Sequence, residues 1–253
     1  GQLPVPQIKV ANPRRAASFT AAEYYGHPSK KMSVVGITGT NGKTTTAGLI
    51  SAMLKAAGEK VAQIGTLGTI AEGYCQEKTL TTPDPIALHK VLFDLHQKGF
   101  THIVMEASSH AIDQSRVADV DFNFTVFTNL SPEHLDYHGT MADYFQAKLK
   151  LFTALPRTAT AIVNMETDYG QAIFDKCAVP VVTTALEKTG DVFFKDYQIS
   201  LAGIHGTIQA GEITYTVDSL LIGKFNAENI LCAIATGNAM GLTQNAIKNG
   251  LKQ

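Results

Sequence analysis

The chain has 253 residues, 45% of them hydrophobic and 17% charged, which excludes a disordered or solvating segment and leaves length for roughly one to two domains with a sizeable core. Lys+Arg 21 against Asp+Glu 22 gives a formal charge of −1, so no bulk field attracts nucleic acid or an anionic membrane, and any anion must be gripped locally. Cys75, Cys177 and Cys232 form no C-x-x-C pair, the apolar runs are too short to span a bilayer, and Gly1-Gln2-Leu3-Pro4 lacks signal-peptide character; a reducing, cytoplasmic setting is expected.

Residues 1–31, ending in Tyr24-Tyr25-Gly26-His27-Pro28-Ser29, read as a linker or domain edge, and the first residue not being Met suggests a chain cut from something longer. The main domain is expected over 32–253. Met32–Thr38 is a β-branched run that predicts a strand, and the apolar spacing from Lys43 to Ala57 predicts a helix stopped by Gly58. Strands follow over Val61–Ile64, His102–Met105, Phe124–Thr128 and Ala159–Val163, with helices over Asp84–Lys98 and Thr140–Leu155 between them. Strands alternating with helices predict an α/β fold, a mostly parallel sheet covered on both faces. From Val192 to Leu221 the alternation around Gly203, Gly206 and Gly211 predicts a small antiparallel β extension, and helices are expected over Ala227–Met240 and Asn245–Leu251.

The strongest chemical signal is Thr38-Gly39-Thr40-Asn41-Gly42-Lys43-Thr44-Thr45, set between a predicted strand and a predicted helix. Main-chain N–H groups of such a loop, with the positive helix end behind them, surround a polyphosphate; Lys43 would meet its β/γ groups and the Thr44 hydroxyl a Mg²⁺ ion. The strict G-x-x-x-x-G-K-[ST] pattern is not met, because Ile37 stands where its first glycine belongs and Gly36 lies one residue early. This loop predicts a P-loop-type mononucleotide-binding domain without choosing among GTPase, kinase and ligase.

Ligands of an open parallel sheet sit beyond the strands' carboxyl ends. Glu106 closes an otherwise apolar strand there and suits a Mg²⁺ ligand or a water-orienting carboxylate, with a cap or salt-bridged strand end as the plain alternative. Ser108-Ser109-His110 lacks the G-x-S-x-G elbow. His134 and His138 are four apart but miss H-E-x-x-H, and Pro132 and Gly139 leave little room for a stable helix, so a zinc hydrolase is weakly supported. Lys148, on a helix with apolar neighbours, reads by itself as a solvated lysine.

Together with Tyr24–Ser29, Thr81-Thr82-Pro83-Asp84, Phe127–Leu130, His134–Gly139, Ala147-Lys148 and Gly223-Lys224-Phe225-Asn226-Ala227-Glu228-Asn229, these strings resemble the Mur ligase family, most closely its MurE type, the UDP-N-acetylmuramoyl-dipeptide amino-acid ligases of peptidoglycan synthesis. The resemblance implies ATP-driven amide formation through an acyl phosphate, adding L-lysine or meso-diaminopimelate to UDP-N-acetylmuramoyl-L-Ala-D-Glu. It implies ATP at Gly39–Thr45 and Asn229, one Mg²⁺ at Thr44 and Glu106, and a second at His134 and a carbamylated Lys148. Catalytic roles fall by the same analogy on Lys43, Glu106, His134 and Lys148, and contacts to the UDP-muramoyl-peptide on Thr81, Thr82, Ser108, Gln114 and Arg116. Leu80 departs from an Asn common before the paired threonines. Family members have three domains; residues 1–31 resemble the end of the first and 32–253 the central ATPase, which implies a fragment without its amino-acid-binding domain and with little activity alone. Folylpolyglutamate synthetase, another Mur ligase, or a non-catalytic nucleotide-binding module are the competing readings.

Overall fold

The structure is a computed structural model and describes residues 7–74 and 80–252; Gly1–Pro4, Cys75 and Gln253, which entered the reading of the sequence, lie outside the described residues. The strands are β1 (Ser33–Thr38), β2 (Val61–Gly65), β3 (Gly68–Ile70), β4 (His102–Glu106), β5 (Phe124–Phe127), β6 (Thr160–Asn164), β7 (Val181–Ala185), β8 (Val192–Ser200), β9 (Gly203–Ala210) and β10 (Ile213–Ser219). They form one 10-stranded sheet in the order β10-β9-β8-β7-β6-β5-β1-β4-β2-β3. Pairing is parallel from β2 through β8, while β3 and the β8–β9–β10 hairpins run antiparallel. The α/β architecture with its antiparallel extension is therefore as the patterning anticipates.

The helices are α1 (Pro13–Tyr24), α2 (Lys43–Ala56), α3 (Pro85–Gln97), α4 (Ser109–Asp113), α5 (Leu135–His138), α6 (Met141–Thr153), α7 (Asp168–Lys176), α8 (Lys224–Ala239) and α9 (Gln244–Gly250). Their starts follow from local chemistry. Asp84 accepts hydrogen bonds from the Ile86 and Ala87 amides ahead of Pro85, and the Thr140 hydroxyl accepts from Asp143 N, so orphan donors at each first turn are satisfied. Helix α1 lies within the stretch read as a linker. Asn12 caps it through the Arg15 amide, and Tyr25 beyond its end packs on Phe93 of α3 with ring centroids 5.6 Å apart.

Alternate residues of the central strands divide the core in two. Val35, Ile37, Val104, Val126 and Ile162 pack with Ile50, Met53 and Leu54 of α2 and Ile230, Leu231 and Ile234 of α8. Val34, Ile103, Met105, Phe127 and Val163 pack on the other face with Leu88 and Leu92 of α3 and Leu149 and Phe152 of α6. This is the period-2 signature of a sheet buried on both sides. Gly36 shares the second face: a Cβ there would stand 2.5 Å from the Phe122 ring, so this glycine serves strand packing and not the loop beyond. Phe194, Ile208, Tyr215 and Val217 tie the extension to the first core. Strand β1 lies between β4 and β5, so successive connections leave it in opposite directions and open a crevice beyond its carboxyl end.

Candidate active site

The loop leaving β1 enters that crevice and is strapped to the end of β5. Thr40 N donates to Asn129 O (2.9 Å), Asn41 N to Asn129 Oδ1 (2.9 Å), and Thr128 Oγ1 to Asn41 O (2.6 Å). Gly39 and Gly42 have φ of 153° and 86°; a Cβ would come within 2.0 Å of Thr128 Oγ1 at the first and 2.1 Å of Asn229 Oδ1 at the second. Both positions thus need glycine for backbone shape and for space. Because Asn129 takes the Thr40 and Asn41 amides, the groups left for an anion are the unpaired N–H donors of the first turn of α2, which Gly42 starts in a left-handed conformation.

Two lysines converge on the loop from below. Lys43 Nζ donates to Gly39 O (3.0 Å) and Thr40 O (2.7 Å), and Lys148 Nζ donates to the same Gly39 O (2.8 Å) while lying 4.5 Å from the centre of the Tyr144 ring. Lys148 is 1% exposed, so the lysine that sequence alone reads as solvated is buried. Burial is the main force pulling its ammonium well below the usual lysine range, with Lys43 adding repulsion. Burial also lowers Lys43, against the opposing pull of Glu106 and Glu133.

Glu106, fully buried at the end of β4, faces the same helix start. Its Oε1 accepts from Thr44 Oγ1 (2.8 Å) and Thr66 N (3.0 Å), and its Oε2 from Thr66 Oγ1 (3.0 Å). A hydroxyl and a carboxylate, both hard oxygen donors, side by side at a positive helix end fit Mg²⁺, which takes few protein ligands and completes its shell with phosphate oxygens and water. Among the described residues no cluster of three or more His, Cys, Asp or Glu is arranged to hold a metal, so a cation here would depend on that oxygen pair. Thr66 was missed by the sequence reading; it follows β2 at the same rim, and inspecting every strand end would have found it.

Next to Glu106 runs a polar array. Thr82 Oγ1 donates to Glu106 O (2.8 Å) and accepts from Ser108 N (3.2 Å), while Thr82 O accepts from Arg116 Nη1 (3.0 Å). Gln114 Oε1 accepts from Arg116 Nη2 (2.6 Å), and Gln114 Nε2 donates to Tyr137 Oη (3.2 Å). Thr81 Oγ1 lies 3.4 Å from Thr66 Oγ1. Sequence-selected Thr81, Thr82, Ser108, Gln114 and Arg116 therefore form one connected surface with the carboxylate.

The histidines form a lip over it. The His110 ring lies 4.8 Å from His134, 4.2 Å from Tyr137 and 5.5 Å from His138, and Leu135–His138 is a single helical turn opened by a left-handed His134 (φ 55°). Burial, then neighbouring histidines, lower His110; His138 is lowered chiefly by burial, against the attraction of Asp113. Among the described residues His134 reaches Lys148 only through Tyr144, whose ring centre is 6.2 Å from its own; as an ammonium, Lys148 donates and cannot ligate a cation. Tyr144, whose hydroxyl lies 3.2 Å from Thr40 Oγ1, was another residue the sequence did not single out. Asn229 lies against Gly42, its Oδ1 buried without a hydrogen-bond partner among the described residues.

The Mur ligase middle domain family model matches residues 37–237, which embrace the loop, both lysines, Glu106 and Asn229. The chain belongs to the Mur ligase family. A curated relative, the UDP-N-acetylmuramoyl-L-alanyl-D-glutamate–2,6-diaminopimelate ligase of Geobacter metallireducens, is 40% identical over 252 residues, 97% of this chain and 49% of the relative. A solved structure of a ligase with that same substrate name superposes with a TM-score of 0.84 at 27% identity, covering 97% of this chain and 53% of the other. The apo form of a folylpolyglutamate synthetase from L. casei superposes with a TM-score of 0.78 at 15% identity, covering 97% of this chain and 68% of the other, a likeness of fold alone. The chain spans about half the length of the curated relatives it matches. Its Mur ligase fold thus presents the strapped loop, the Thr44–Glu106 pair and the Arg116 array on one rim.

Proposed function

We propose that this chain is the ATP-binding and phosphoryl-transfer core of a ligase that joins an amino acid to UDP-N-acetylmuramoyl-L-Ala-D-Glu. The observation that carries this reading is the 2.8 Å contact between Thr44 Oγ1 and Glu106 Oε1, set between a glycine-shaped anion loop and the Thr82–Gln114–Arg116 array. The first turn of α2 and Lys43 would take the triphosphate, Lys43 leaving Gly39 O and Thr40 O for phosphate oxygens. Asn229 Oδ1, buried beside Gly42 and unpartnered, suits a donor on the nucleotide. Arg116, with Thr81, Thr82, Ser108 and Gln114, would hold the acid so that its carboxylate faces the γ-phosphoryl group in line.

Thr44 and Glu106 would hold one Mg²⁺, and His134 with a carbamylated Lys148 a second; bound there, the cations supply the positive charge that lets a carboxylate approach a triphosphate. Burial makes the Lys148 ammonium readier to give up a proton; the free amine would bond through its lone pair to the carbon of CO₂, with loss of one further proton, which would turn a donor into an anionic oxygen ligand. The carboxylate oxygen then attacks phosphorus, ADP leaves, and the amine of the incoming amino acid displaces phosphate from the acyl phosphate. The chemistry would belong in the cytoplasm; among the described residues no helix is long and apolar enough to cross a membrane.

The test is ADP formation with UDP-N-acetylmuramoyl-L-Ala-D-Glu as acid and L-lysine or 2,6-diaminopimelate as amine, beside calorimetric titration of this chain with ATP and Mg²⁺. Expected are ATP binding lost in Lys43→Ala and ADP formation that requires the muramoyl dipeptide. Stimulation by folate in its stead would move the reading to folylpolyglutamate synthesis, and ATP binding untouched by Lys43→Ala would overturn the site.

A further inference from the structure

Beside Arg116 lies a cavity of about 380 Å³ lined by Pro13, Arg14 and Ala17 of α1, Leu80, the start of α3, and Gln114 and Arg116. Two guanidinium groups therefore face one hollow. Among the described residues Arg116 is fixed by neutral acceptors only, Thr82 O and Gln114 Oε1. Arg14 has no hydrogen bond or ion pair among the described residues, whereas its neighbour Arg15 pairs with Asp119. Asp84, the one carboxylate on the wall among the described residues, has its Oδ1 committed to the Ile86 and Ala87 amides as the cap of α3. Among the described residues, two like charges held toward the same space with one capping carboxylate leave it net positive.

We propose that Arg14 is a second anion-binding residue of the acid site, and that it and Arg116 together clasp an anionic group of the substrate other than the carboxylate that reacts. The inference rests on the proposed function above and extends it to the substrate's second charge. The lining gives the separation: Glu106 is bonded to Thr44, and Thr82 joins Glu106 to Arg116, but of these only Arg116 lines the hollow with Arg14. No residue of the phosphate loop lines the hollow, so a group held there is distinct from the carboxylate that meets the γ-phosphoryl group. Arg14's influence on Arg116 agrees, since after burial, which lowers the Arg116 guanidinium most, Arg14 pushes it further down while Asp84 and Tyr137 oppose both. The apolar wall of Leu80, Ile86 and Ala17 strengthens such a pairing by keeping water from one side. It also gives Leu80 a part in shaping this hollow. The clasped group is either a carboxylate of the dipeptide or the diphosphate of the nucleotide, both bidentate acceptors for a guanidinium fork.

Isothermal titration of this chain, wild type, Arg14→Gln and Arg14→Lys, with UDP-N-acetylmuramoyl-L-Ala-D-Glu and separately with L-Ala-D-Glu, tests this. Arg14→Gln is expected to weaken the nucleotide-sugar dipeptide about tenfold, Arg14→Lys less, with ATP affinity unchanged in both. A loss seen also with the bare dipeptide assigns the group to its carboxylate; a loss only with the whole molecule assigns it to the diphosphate. Equal affinity of wild type and Arg14→Gln, with thermal melting unchanged, would overturn the role of Arg14 and leave the proposed function standing. Absence of any acid binding by wild type that still binds ATP would remove both.

Discussion

The floor of the phosphate loop and the interior of α3 each bury a basic side chain, and they do so differently. Lys148 is 1% exposed, bonded to Gly39 O and set over Tyr144. His89 is fully buried, and neither of its ring nitrogens has a hydrogen-bond partner among the described residues. Burial leads the depression of both, bringing His89 down to about 4 despite Asp119 and Asp121, which pull it upward. Low basicity alone therefore marks no site. What separates the two is aim: Lys148 points at the carbonyl that Lys43 also uses, whereas His89 feels Asp119, Asp121 and His27 but bonds to none of the described residues.

Several substitutions would sharpen or break that contrast. Lys43→Ala, which removes the charge that shares Gly39 O with Lys148, is expected to lower acid-dependent ATP turnover by about a hundred- to thousandfold. His89 acts on stability and not on chemistry. Its folded pKa lies below the ordinary 6.5, so the unfolded chain binds the extra proton between those values, and stability falls as pH drops from 6.5 to about 4. The span is worth about 3 kcal/mol, and urea unfolding of His89→Leu across that range should show a correspondingly flatter acid limb with unaltered ATP binding. A wild-type acid limb as flat as the variant's would end the claim that His89 is buried neutral.

Lys148→Met should separate function from stability in the opposite sense. Turnover is expected to fall by about a hundredfold, while the melting temperature rises a few degrees because an amine no longer has to be desolvated. A drop in melting temperature would mean that the bond to Gly39 O outweighs that burial cost. His134→Ala is the mildest, about a tenfold loss of turnover with melting unchanged, since its side chain is 44% exposed and only loosely paired with Glu133 at 3.8 Å.

How much of this was legible in the chain depends on the range of the interaction. The parallel strands announce themselves because a β-branched run buried on both faces needs no partner to be recognised, and the glycine-threonine-lysine loop carries its chemistry within eight residues. Asp84 and Thr140 likewise cap helices from positions adjacent in sequence. Lys148 is different: its neighbours on α6 look like those of any amphipathic helix, and only the return of Gly39, 109 residues away along the chain, makes it a buried donor. Glu106 was found by its place after an apolar strand, but Thr66, which supplies two of its hydrogen bonds, sits after a strand whose end carries no charge. Helix α1 was hidden for another reason: its apolar face is mostly alanine, a weak signal until Tyr25 is seen against Phe93. Residues 165–191, left without elements, fold into α7 and β7 because short segments of mixed polarity take their structure from the sheet they join.

One carbonyl, that of Gly39, receives both lysine ammonium groups. Lys43 is therefore already stripped of much of its water before any nucleotide arrives, and a polyanion entering the loop exchanges one oxygen partner for another. Much of the cation's dehydration thus belongs to folding, which lowers that part of the barrier to the encounter with its guest.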